Sequence, residues 1–254
     1  MSVTAAVPVV ASWSEPEGIR PRGTVLVVPG RGEHARVYER FARRIASDGY
    51  RVWAVSDPTV DEDRTRSQIR SLLDRTPSED PGEAGPPPRV LVGSDTGALF
   101  AAVLAAEDPA GIDGLVLAGL TTADGRFGAP GWDDELALRT GCPTHRGLLD
   151  HDPSVRRGAL AGPLPAGWAA RARPGSITVP VLGLHGDADT VSPLAGVRGW
   201  FSGVGDGELA VVTDGVHDAL NDRAHRTAAA TTVLFLERVR DGGTPVTRIE
   251  TTAS

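Results

Sequence analysis

The chain contains no lysine: all 26 of its basic side chains are arginines. That excludes a Walker-type lysine for nucleotide phosphates and any Schiff-base chemistry on a lysine amine. Arginine-only usage is what a GC-rich genome produces, and it calls for no functional explanation. Cysteine occurs once, as Cys142, so no intramolecular disulfide can staple the fold and apolar burial must hold it together. Hydrophobic residues make up 40% of the 254, enough for a substantial core. Aromatics are scarce at 5%, with only two tyrosines, Tyr38 and Tyr50. No apolar run reaches the length of a membrane span, and the start, MSVTAAVPVVASWSEPEG, lacks the basic and apolar regions of a secretion signal; a cytoplasmic protein is expected. The net charge of −7 is mixed along the chain without a basic stripe, which argues against nucleic acid or an anionic membrane as partner.

What is present in excess is glycine (31) and proline (20), the mark of many tight turns. Between those turns the pattern alternates strand and helix. Thr24–Val28, Tyr50–Val55, Arg89–Gly93, Ile112–Ala118, Thr178–Leu184 and Glu208–Val212 read as strands. Helical patterns run from about residues 35 to 47, 64 to 74, 98 to 106, 193 to 201 and 218 to 239. Such alternation predicts an α/β protein, a mostly parallel sheet with helices on both faces. From about 120 to 175 the rhythm fails, with Phe127, Trp132 and Trp168 set among glycine and proline, and this stretch reads as a lid inserted in the core. The expected division is core 1–119, lid 120–175, core 176–240 and tail 241–254, with Pro245–Ile249 a candidate edge strand. Residues 76–88 read as an exposed connection.

Binding crevices of open α/β sheets lie beyond the carboxyl ends of the strands. Four such places carry chemistry: Pro29-Gly30-Arg31-Gly32-Glu33-His34, Gly93-Ser94-Asp95-Thr96-Gly97, His185-Gly186-Asp187-Ala188-Asp189 and Gly215-Val216-His217. Strand, small-X-nucleophile-X-small turn and helix, followed in chain order by an acid and a histidine, resemble the α/β-hydrolase superfamily. Gly32-Glu33-His34 with Tyr38, and the segment VLGLHGDADTVSP, are most similar to its monoacylglycerol-lipase-like, serine-aminopeptidase-type branch. The resemblance implies the fold and a small-molecule substrate, and it places Asp189 as the acid and His217 as the base. It further implies an oxyanion hole of two backbone N–H groups, those of Arg31 and Thr96. No metal or organic cofactor is expected, and a homo-oligomer is left open.

The departure from the family pattern is at its centre, where GxSxG becomes Gly93-Ser94-Asp95-Thr96-Gly97. Asp95 takes the nucleophile position, and Ser94, one place early, is a poor substitute. Asp attack on an ester carbonyl gives an anhydride with little driving force, whereas attack on an epoxide or alkyl halide gives an ester that water can hydrolyse. Haloalkane dehalogenases and epoxide hydrolases use aspartate in this way, but the likeness is partial: both tyrosines precede the lid, and Thr96 rather than tryptophan follows Asp95. The lid residues Trp132 and Trp168 are the candidate substrate contacts, with Arg31 as either an anion contact or a solvated side chain. The leading expectation is a hydrolase with an Asp95 nucleophile. Alternatives are a proton-transfer enzyme (epimerase, cyclase or lyase) of natural-product biosynthesis, in which Asp95 and His217 serve as acid and base, and a catalytically silent binding protein.

Several neighbouring groups have weaker readings. Asp187 is a rival acid, Asp214 and Asp218 flank His217, and His185 reads as a brace for its strand end. His145 and His151, with Asp150 and Asp152, form only a weak metal pattern, and Cys142 reads as partly buried filler.

Overall fold

The computed structural model describes residues 11–75, 87–122 and 131–243. Seven strands form one sheet: β1 (Ala11–Trp13), β2 (Thr24–Val28), β3 (Arg51–Ala54), β4 (Arg89–Ser94), β5 (Gly114–Ala118), β6 (Val181–Gly186) and β7 (Gly207–Val212). Their order is β1-β3-β2-β4-β5-β6-β7, and every pairing is parallel except that of β1 with β3. The central strands β2, β4 and β5 are almost wholly buried, which is why they read as continuous apolar runs instead of alternating ones.

Helices cover both faces. On one face α1 (Glu39–Ser47) packs Phe41 and Ile45 against Val25, Val27 and Val52, together with Phe235 and Leu236 of the last helix. On the other face Leu26, Val28 and Leu91 meet α2 (Glu62–Arg75) and α3 (Thr96–Glu107) through Ile69, Leu72 and Phe100. Adjacent residues of β2 thus serve opposite cores, as the two-residue strand period requires. Between β5 and β6 lie α4 (Trp132–Arg139), α5 (Pro143–His151) and the short α6 (Trp168–Arg171). The chain then adds α7 (Leu194–Phe201) and α8 (His225–Arg240).

Three expectations are corrected. The antiparallel β1 precedes the first strand anticipated, and three residues are too few for a period to show. The stretch read as arrhythmic contains helices of 8 and 9 residues, hidden by short length and flanking glycine and proline. The last helix starts at His225 instead of near residue 218, because Asp218 to Ala224 form turns that seat the loop after β7. Phe127, most of the 76–88 connection and the Pro245–Ile249 segment lie outside the described residues. Among the described residues, no helix is long and apolar enough to cross a membrane.

Candidate active site

Five strand ends converge on one buried cluster, those of β2, β4, β5, β6 and β7. Asp95 stands at the bend between β4 and α3 with φ 51° and ψ −122°, a backbone conformation that side-chain-bearing residues rarely adopt. Two glycines make room for it. A Cβ on Gly93 would sit 2.4 Å from the Ala98 Cα, and one on Gly97 would sit 2.3 Å from the Val28 carbonyl oxygen. The chain can therefore reverse from strand to helix within one residue, with its carboxylate projecting at the top of the sheet. Ser94 remains the last residue of β4, buried and paired in register with Ala118, so it does not occupy the bend.

Both oxygens of Asp95 are engaged. Oδ2 accepts the Arg31 backbone N–H at 2.9 Å and the Arg31 Nε at 2.9 Å. Oδ1 accepts from Arg31 Nη2 at 2.7 Å and from the Thr121 hydroxyl at 2.6 Å, and lies 3.1 Å from His217 Nε2. On the far side of the imidazole, His217 Nδ1 is 2.8 Å from Asp189 Oδ2. The other oxygen of Asp189 accepts the backbone N–H groups of Val191 and Ser192, which fixes its orientation. The loop after β6 thus holds the acid, the loop after β7 holds the histidine, and the three side chains form a continuous Asp95–His217–Asp189 line.

The electrostatics follow from two anions and two cations sharing one dry site. Burial alone would raise the Asp95 carboxyl, but the Arg31 charge and the hydrogen bonds from His217 and Arg31 outweigh it and hold Asp95 well below the usual carboxylate range. Burial would likewise lower His217, yet the Asp189 and Asp95 carboxylates at its two nitrogens push it up to about 10. At neutral pH His217 is therefore an imidazolium between two carboxylates. Asp189 is lowered in spite of its burial, chiefly by the His217 charge.

Arg31 departs from both roles expected of it. Its residue is 4% exposed, so it is neither solvated nor open to a substrate anion; its guanidinium forks onto Asp95 while Nη1 donates to the Gly162 carbonyl at 2.9 Å. Its backbone N–H, one of the two oxyanion-hole donors implied by resemblance, already holds an oxygen of Asp95. Thr96 is the first residue of α3, where a backbone N–H has no intrahelical acceptor, and its hydroxyl lies 3.3 Å from Asp95 Oδ2.

The two tryptophans expected to contact substrate are committed elsewhere. Trp132 donates its indole N–H to Asp150 and lies under the Arg157 guanidinium. Trp168 is 1% exposed, stacks on Phe100 and donates to Glu62, so it belongs to the core. A cavity of about 530 Å³ instead opens beside Leu99, Thr121, Thr122, Ala169 and Trp200, within the size range of small-molecule sites. Of its lining residues, Thr121 donates its hydroxyl to Asp95, which does not itself line the cavity. Thr121 and Trp200 were not anticipated, although Thr121 follows the end of β5 and the strand-end rule applied there would have marked it.

The remaining candidates separate cleanly. Asp187 is exposed and accepts the Asp214 N–H, so the rival acid is out of reach of His217. His185 Nε2 meets the Ser192 carbonyl oxygen at 2.7 Å and steadies the Asp189 loop. The four residues of the weak metal pattern do not assemble: His151 is exposed on its own helix, Asp152 pairs with His34, Asp150 with Arg157, and His145 turns inward to Asp218. Cys142 is buried just before α5, 3.5 Å from Arg40 Nη1.

No protein-family model matches the chain, and no curated protein is found to be similar to it. Solved structures do match. A monoacylglycerol lipase from Paleococcus ferrophilus is 21% identical, covering 90% of this chain and 98% of its own at a TM-score of 0.74. A soluble variant of the monoglyceride lipase from Saccharomyces cerevisiae is 16% identical, covering 94% and 98% at 0.70. A thermostable carboxyl esterase from Bacillus coagulans is 18% identical, covering 90% and 93% at 0.60. With the sheet order and the strand-to-helix bend at Asp95, these similarities establish the α/β-hydrolase fold for this chain.

Proposed function

We propose that the chain is an enzyme of the α/β-hydrolase fold that hydrolyses a small, largely apolar electrophile, an epoxide or alkyl halide, through Asp95 as nucleophile. The observation that carries this reading is the position of Asp95 on the strained bend with His217 and Asp189 in line behind it. A serine-dependent lipase or esterase cycle has no nucleophile here, since Ser94 stays in its strand. Of the expected lid 120–175, the described residues 131–175 serve as the cover, and substrate enters by the cavity beside Thr121 and Trp200.

The charge arrangement suits a cycle in two halves. In the first, an Asp95 oxygen bonds to the electrophilic carbon and the carbon's bond to halogen or ring oxygen breaks, leaving an alkyl ester of Asp95. Esterification removes one of the two negative charges facing His217. Its affinity for the proton falls accordingly: with an epoxide the opened oxygen takes up the proton that His217 gives up, and with a halide that proton passes to solvent as the halide leaves. In the second half, neutral His217, oriented by Asp189, takes a proton from water as the hydroxide adds to the ester carbonyl. Arg31, no longer neutralised by a carboxylate, is placed to stabilise the tetrahedral oxyanion through its N–H and guanidinium. Expulsion of the alcohol regenerates Asp95 ionised and His217 protonated.

The test uses His217→Gln, which leaves Asp95 in place but removes the base of the second half. Exposed to a panel of epoxides and haloalkanes, this variant is expected to accumulate a covalent adduct, visible by intact mass and located at Asp95, while the Asp95→Asn variant shows none. Turnover by the parent protein with no adduct in His217→Gln counts against the reading.

Proton transfer without a covalent intermediate is the second reading. It is favoured by the imidazolium of His217 and by the saturation of both Asp95 oxygens with donors, which quenches a nucleophile but not an acid. It predicts incorporation of solvent deuterium at a substrate carbon. Ligand binding with no turnover of any substrate class marks a binding protein.

A further inference from the structure

Behind the active site the described residues contain a second buried cluster, and it is not satisfied by the protein alone. Glu33, in the loop after β2, His145 of α5 and Asp218, next to His217, are 5%, 3% and 3% exposed. One ligand atom from each lies within 4.8 Å of the other two. His145 Nε2 comes to 2.9 Å from Asp218 Oδ2, yet the two are not aligned as a hydrogen bond. Beyond that ion pair, Asp218 Oδ1 and both polar side-chain atoms of the fully buried Asn221 have no aligned hydrogen-bond partner. Buried polar atoms of folded proteins are almost always paired, so several orphans in one place indicate a missing occupant. Charge indicates its sign: Glu33 and Glu135 share one buried guanidinium, that of Arg139, and among the described residues the Asp218 carboxylate beside them ion-pairs only with the His145 imidazole.

We infer that Glu33, His145 and Asp218 bind a divalent transition-metal ion, of the zinc or manganese kind, with the Asn221 amide beside it. The inference is independent of the reaction assigned to Asp95, and it departs from the expectation of a metal-free protein. One imidazole nitrogen and two carboxylate oxygens match the donor preferences of these ions, and the 2.9 Å between His145 Nε2 and Asp218 Oδ2 would widen to about 3.3 Å on binding through bonds of about 2.0–2.2 Å. Surrounding groups hold the ligands as an outer shell should: Glu33 accepts from the Tyr38 hydroxyl and from Arg139 Nη1, at 3.0 Å for the latter. An ion with two positive charges neutralises the excess of carboxylates.

Its effect is positional. Glu33 lies two residues after Arg31, Asp218 one after His217, and His145 on the segment between β5 and β6. One ion ties all three together, and Arg139 relays the tie by donating to both Glu33 and the Arg31 carbonyl.

The experiment takes the full-length, untagged protein, measures its metal content as purified, then strips it with chelator and titrates it with zinc, manganese and cobalt(II). One equivalent of metal is expected, with a d–d absorption band for cobalt and a rise in Tm of about 5–10 °C at free metal near 100 times Kd. His145→Gln and Asp218→Asn should each lose the cobalt band and the metal-dependent rise in Tm. Should those variants fail to fold, the wild-type stoichiometry and cobalt spectrum decide by themselves. Less than a tenth of an equivalent as purified, with no uptake and no change in Tm, overturns the inference and leaves water or a shared proton as the occupant.

Discussion

Arg31 is the residue on which the local energetics turn. Its guanidinium and backbone N–H together neutralise a carboxylate that is 3% exposed, and its own residue is 4% exposed. Removing one partner of such a pair strands the other charge in a low-dielectric interior, a cost of about 3–5 kcal/mol. Arg31→Ala is therefore expected to lower unfolding free energy by roughly that amount in urea titrations, and adding Asp95→Ala should recover much of the loss. Equal losses in the single and double variants would mean that the pair is not coupled. His217 makes a prediction in pH. Its pKa rises from 6.5 to about 10 on folding, so its contribution to stability is complete below pH 6.5 and is lost as pH climbs through about 10. His217→Gln should flatten that alkaline decline in thermal melts; an unchanged slope would show that the imidazolium is not held by its two carboxylates.

At the scale of elements, the bend between β4 and α3 decides whether the site exists. Gly97 has no room for a Cβ, which would stand 2.3 Å from the Val28 carbonyl oxygen and 2.4 Å from that of Pro29. Backbone cannot yield as a side chain can, and Gly97→Ala should cost about 3 kcal/mol or more, read by chemical denaturation. A neutral substitution would show that the helix is not pressed against β2. The glycine and proline excess of the sequence marks such places, which made Asp95 legible as a strand-end residue, whereas Asp189 and His217 were singled out through the resemblance to the α/β-hydrolase pattern. The same excess concealed α4 and α5, because helices of 8 and 9 residues between breakers show too few turns for their period to emerge. The tryptophans misled for a related reason. An indole among glycines looks available, whereas Trp132 and Trp168 have each found a carboxylate, and that pairing is made only by the fold.

Across the whole molecule, the sheet brings together charges that are far apart in sequence. Arg31 and Asp95 are 64 residues apart, Asp95 and His217 122. No local pattern specifies that Arg31 turns inward onto Asp95, so the sequence alone left it with two roles, neither of which it takes. The α/β class was legible because the strand and helix rhythm runs through most of the chain, and the α/β-hydrolase fold because its strand-end motifs resemble that superfamily; the reaction was not, because the residue at the bend differs from the family pattern without altering the rhythm. Held by Arg31, His217 and Thr121, Asp95 rests as a carboxylate, and the proposed covalent cycle has it become an ester when an electrophile reaches it past Thr121.

That step leaves an isotopic mark. A single turnover of the parent protein in heavy-oxygen water, with a substrate found among epoxides or alkyl halides, followed by peptide mass measurement, reports which oxygen the product carries away. The covalent cycle predicts heavy oxygen in the Asp95 side chain, because the oxygen of the attacking water stays on the ester carbonyl carbon while an original Asp95 oxygen leaves with the alcohol. Complete turnover with an unlabelled Asp95 would contradict it.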